Sequence, residues 1–142
     1  MLKKTITYED WNGVERTEDF YFDLNEAEVI EMQAEEHGQL NALITKMIDE
    51  KDSQKLMGLF KKLVLRSYGE KSLDGRYFEK SEEISRKFTQ TKAYPQIFMR
   101  LAINAKAASD FVNGILPENM GAKIEELRVG NEGVDAPTLV KA

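Results

Sequence analysis

The dipeptide Asn12-Gly13 constrains this chain most. Both residues tolerate a positive φ, so Asn-Gly between two alternating segments is the strongest short-range signal for a β-hairpin. Before it, Lys3 to Tyr8 alternates, with Ile6 and Tyr8 on one face and Thr5 and Thr7 on the other. After it, Val14 to Phe22 returns and ends in the aromatic run Phe20-Tyr21-Phe22. A lone hairpin is marginal in water and must pack its apolar face on something else.

Helices are what the rest of the chain offers. Asn25-Glu26-Ala27-Glu28 is a capping box, in which Asn25 accepts from the free amides of the first turn and Glu28 reaches back. It predicts a helix from about Glu26 to Glu36, broken at Gly38. Leu40, Leu43, Ile44, Met47 and Ile48 then form one buried stripe of a second helix. Asp52 is the N-cap expected for a third, carrying Leu56, Leu59, Phe60, Leu63 and Val64 and ending near Tyr68-Gly69, where glycine takes the left-handed position. Residues 70–80 read as a loop around Asp74-Gly75. Ser81 caps a short helix over Glu82 to Thr89, and a helical rhythm runs from Tyr94 to Ile115, within which Asn104 can cap a second piece. Gly114 and Pro117 close that element. The expected fold is α+β, an N-terminal hairpin packed on about five helices over residues 1–117. A flexible tail over 118–142 follows, with one helical turn near Lys123 to Leu127.

Composition narrows the chemistry. At 142 residues the chain is one domain's worth, with no cysteine and a single histidine, His37. Disulfides, thiol catalysis, cysteine-based metal sites and paired-imidazole sites are therefore excluded. His37 sits at an expected helix end, where a cation complements the dipole. No calcium loop and no phosphate-cradling glycine loop is present, and the carboxylates lie in runs beside other acids rather than as a pair in an apolar pocket. We expect no catalytic residue, no cofactor and no metal. Met1 to Tyr8 lacks the apolar core of a secretory leader, and no apolar run is long enough to span a bilayer, so a cytosolic protein is expected.

Charge is unevenly placed on a chain of net charge −5. Residues 9–36 hold eleven acids against Arg16 alone, whereas residues 51–71 hold six basic side chains against Asp52 and Glu70. Either the two blocks attract one another within or between subunits, or the acidic block receives a basic chain. Nucleic acid is a poor partner, since the field is negative and no aromatic interleaves the basic face. Some apolar residues fit no stripe. Met57 and Leu65 lie off the buried face of the third helix, and Trp11 sits at the hairpin tip. Either they meet neighbouring elements or they form exposed apolar surface, which marks a protein partner. Together with Lys61 and Lys62 of the basic block, Trp11, Met57 and Leu65 are the candidate partner-binding residues.

Several strings have a familiar order. Glu9-Asp10-Trp11-Asn12-Gly13-Val14-Glu15-Arg16-Thr17, then Phe20-Tyr21-Phe22-Asp23-Leu24-Asn25 before an acidic helix, resembles the opening of tail assembly chaperones of long-tailed phages of Gram-positive bacteria. Ser67-Tyr68-Gly69-Glu70-Lys71-Ser72, Asp74-Gly75-Arg76-Tyr77-Phe78, Phe88-Thr89-Gln90-Thr91, Ala93-Tyr94 and Phe111-Val112-Asn113-Gly114-Ile115-Leu116-Pro117 continue the likeness over about residues 1–117. The resemblance implies a non-enzymatic factor that coats the long helical tape measure protein before the tube forms, works in the host cytoplasm and is absent from the finished virion. It also implies that a longer, frameshifted form recruits tail tube subunits. A small acidic helical protein can cover apolar stripes while its charge keeps the complex soluble, and many copies on one client need only modest individual affinity, so self-association is expected. The other reading of the residues is an acidic interaction or inhibitory protein that mimics a nucleic-acid surface through residues 9–36.

Overall fold

The computed structural model describes residues 1–117. The expected tail over 118–142, with its turn near Lys123 to Leu127, lies outside the described residues. Strands β1 (Leu2–Glu9) and β2 (Glu15–Phe22) pair antiparallel, from Leu2 opposite Phe22 to Glu9 opposite Glu15. At the tip only Gly13 is left-handed (φ 79°). Its N–H donates to the Asp10 carbonyl at 3.0 Å, and the Asp10 N–H donates to the Val14 carbonyl at 2.8 Å. The connection is therefore the three-residue loop Trp11-Asn12-Gly13 with a bulge. The Asp10 carboxylate is the cause. It accepts from Arg16 and from the N–H groups of Asn12 and Val14, bonds that hold it below the usual carboxylate range.

Helix α1 (Glu26–Glu36) opens with the full capping box. It ends on His37, which itself takes the left-handed position (φ 61°) ahead of Gly38. Helices α2 (Leu40–Asp49) and α3 (Ser53–Ser67) follow, the latter capped by Asp52 accepting from the Lys55 N–H. The expected left-handed Gly69 is not found. Tyr68 is already extended (φ −69°, ψ 137°), and α3 passes directly into strand β3 (Tyr68–Lys71). Gly69 lies opposite Tyr21, and glycine is required there for a different reason. A Cβ would stand 2.8 Å from the Phe78 ring and 2.9 Å from the Glu79 carbonyl oxygen.

Segment 70–80 is likewise more than a loop, because β4 (Phe78–Glu79) folds back on β3 around Gly75 (φ 78°). The sheet runs β1-β2-β3-β4, antiparallel throughout, so the N-terminal hairpin is half of a four-stranded sheet in an α+β fold. Helices α4 (Glu82–Thr89), α5 (Ala93–Ile103) and α6 (Ala105–Ile115) complete the described residues. Asn104 divides the long rhythm into two helices by accepting from the Ala107 N–H, which makes six helices among the described residues. Gly114 does not end α6 but lies within it, where a Cβ would meet the Leu2 side chain at 2.9 Å.

The core forms where the sheet's inner face meets the helices. Tyr8, Phe20 and Phe22 point inward at alternate positions and pack against Phe88, Phe111, Leu63 and Val64. The Phe22 and Phe111 rings meet edge to face, centroids 5.3 Å apart. Each fully buried Phe or Leu contributes about 1.5–3 kcal/mol relative to exposure. Two backbone bonds then join the end of β2 to the helices: Asp23 N–H to Ser67 carbonyl and Leu24 N–H to Ile115 carbonyl, both 2.8 Å.

Candidate functional site

The stripe of α2 is only half consumed by the core. Leu40 and Ile44 are buried, but Met47 and Ile48, one turn later, are partly exposed. They face α3, whose Leu56 and Met57 are also half-buried, and the end of α5, where Ile103 is 77% exposed. Between these helices and α6 lies an apolar groove of about 420 Å³. Its floor includes Phe60, Leu101 and Val112, and its α6 wall carries Ala105 and Ala108. Two small side chains on that wall leave room that larger ones would fill. Lys51 and Ser53 supply polarity at one rim. Such a groove is chemically suited to an apolar helical stripe and carries no constellation for bond chemistry.

The candidate residues separate. Met57 lines this groove. Leu65, two turns further along α3, packs partly against the core and lines a second, charged hollow with Lys61, Glu28, Arg66, Lys80 and Tyr94. Lys62 is bound to Glu36 of α1 at 2.5 Å. Trp11 lines neither hollow. It is 74% exposed, its indole N–H donates to the Gln90 carbonyl at 2.9 Å, and the Lys92 ammonium lies 4.7 Å from its ring centre. The tryptophan thus ties the hairpin tip to the turn between α4 and α5.

Ile103 was not among the candidates, nor were the groove-facing Met47 and Ile48. The signal for Ile103 was the same as for Met57: it sits off the stripe of Ala93, Ile97 and Leu101.

The charge blocks meet inside the chain. Glu36 pairs with Lys62, Glu35 with Arg66 at 2.7 Å, and Glu28 with Lys80 at 2.8 Å. Lys80 also donates to the Asp23 carbonyl, so one ammonium joins the β2–α1 connection to the start of α4. Asp10 and Glu18 face Arg16, and Asp23 faces the terminal amine. An acidic surface in which six of the eleven acids already have cations is a weak lure for a basic partner. Among the described residues no cluster of metal-ligating side chains is found and no helix is long and apolar enough to cross a membrane.

No curated protein and no solved structure matches this chain. A family model described as "Phage tail assembly chaperone" matches residues 1–140, which extends the likeness past residue 117. With the match spanning nearly its whole length, the chain belongs to the phage tail assembly chaperone family.

Proposed function

We propose that the groove between α2–α3 and α5–α6 receives apolar helical stripes of the tape measure protein and keeps that client soluble until the tail tube forms around it. The single observation that carries this reading is the apolar groove itself, with Ile103 exposed on its lip and Met57 on its wall. A helix laying its apolar face there would bury surface that water otherwise contacts, at about 25 cal/mol per Å². No bond is made or broken in this role. Several copies along one client reinforce one another, and a longer frameshifted form recruits tube subunits. The work takes place in the host cytoplasm of a long-tailed phage of Gram-positive bacteria, and the protein is absent from the virion.

Co-expression with the tape measure protein tests this. The wild-type chain should hold the client in the soluble fraction, and Met57→Asp combined with Ile103→Asp should send it to the pellet while the variant itself remains folded by circular dichroism. Leu73→Asp, at a fully exposed turn position, serves as the control and should leave the client soluble. A folded groove variant that solubilises the client as well as wild type overturns the assignment.

A further inference from the structure

The two edges of the sheet are unequal. One is β4, two residues long; the other is β1, eight residues long and, among the described residues, paired only with β2. Asp10 exchanges its bonds toward β2, donating to Val14 and accepting from Gly13. Antiparallel ladders alternate, so Tyr8, Ile6 and Lys4 also bond toward β2, and Lys3, Thr5, Thr7 and Glu9 turn their N–H and C=O groups outward. The side chains of those four residues are exposed, on the sheet face away from the helices. Of the helix-side residues of β1, Tyr8 is buried but Ile6, Lys4 and Leu2 are only partly so, whereas Phe20 and Phe22 of β2 are covered, so burial falls off along this edge away from the hairpin tip.

We propose that a second copy of this chain pairs on that edge, β1 against β1 and antiparallel, with Lys3 opposite the partner's Glu9 and Thr5 opposite the partner's Thr7. The occupant is argued from the edge's own charge pattern. In this register every outward-turned residue meets an outward-turned residue and exchanges both backbone bonds with it. The two-fold symmetry repeats each pair, so the exposed face gains Lys–Glu and Thr–Thr pairs in duplicate, and on the helix side Ile6 meets its own copy. Shifting by one residue sets outward-turned backbone against groups already bonded to β2. Shifting by two in either direction parts Lys3 from Glu9 and sets each against an uncharged side chain. Parallel pairing sets Lys3 against Lys3. The sheets of the two copies then become continuous, with both helical layers on one side. This deepens the multivalent reading above and rests on it only for its purpose, since dimer formation is measured without any client.

The full chain is examined by sedimentation equilibrium, and Lys3→Glu is compared with Lys3→Glu combined with Glu9→Lys. Wild type should form a dimer, the single reversal should raise the dissociation constant about tenfold by replacing two attractive pairs with two repulsive ones, and the double reversal should restore it. The chain has no cysteine, so Ile6→Cys introduces a single thiol at a closely spaced, non-hydrogen-bonded pair of the new ladder. It should oxidise to a species of twice the 16.3 kDa chain mass, and Thr17→Cys on β2 should not. A monomeric wild type, or a dimer indifferent to the charge reversal and uncrosslinked through residue 6, overturns the proposal. Client solubility in the co-expression test stands or falls independently of these results.

Discussion

The Phe88 ring of α4 lies face to face with the Tyr68 ring at the start of β3, centroids 4.1 Å apart and planes 12° from parallel. Phe88 also contacts Phe20, Phe22 and Tyr94, so one side chain joins the sheet to α4 and α5. Phe88→Ala leaves a cavity among four rings and should cost about 3–5 kcal/mol, read as a lowered denaturant midpoint. An unchanged midpoint would show that α4 is not seated as described.

Burial of the Tyr68 hydroxyl, reinforced by Glu70, Glu18 and Tyr8, pushes its pKa up to about 12. Folding then favours the neutral phenol. Its stabilising contribution is fully present below pH 10, the ordinary tyrosine value, and is lost as pH rises from 10 through about 12. Tyr8, raised chiefly by its hydrogen bond to Glu18, adds in the same direction. Tyr68→Phe should flatten the alkaline limb of a stability–pH profile and leave the neutral region nearly unchanged.

Two glycines should respond in opposite senses. Gly69→Ala forces a methyl group to within 3 Å of the Phe78 ring and the Glu79 backbone and should destabilise by about 1–3 kcal/mol. Gly58→Ala, in the exposed middle of α3 with nothing within 4 Å, should stabilise by about 0.5–1 kcal/mol. Thermal melts of both variants settle the comparison.

Ala108→Leu should uncouple stability from client handling. Extra apolar volume in the groove raises or preserves the melting temperature. The same side chain occupies space proposed for the client, so the soluble fraction of co-expressed tape measure protein should fall. Retained solubilisation by a folded Ala108→Leu chain would place the client elsewhere.

The helical part of the fold was legible because its boundaries are written in local chemistry. Asn25, Asp52, Ser81 and Asn104 each accept from a first-turn amide three residues on, an interaction that needs no tertiary context. Strands β3 and β4 were not legible. They are four and two residues long, Glu70, Lys71 and Glu79 are exposed, and what makes them strands is the pairing of β3 with β2 across a long sequence separation and of β4 with β3. At the candidate site, Met57 and Leu65 carried the same off-stripe signal. Which of them faces a groove depends on where α5 ends and α4 packs, and periodicity along α3 contains neither fact. Lys62 looked available because its partner, Glu36, lies on another helix.

No linker separates α3 from β3: Ser67 ends one and Tyr68 begins the other. Helix and strand are consequently a single stiff lever, with Leu56 and Met57 near one end and the sheet's third strand at the other. A load applied where α3 walls the groove has no hinge in which to dissipate before it reaches the sheet.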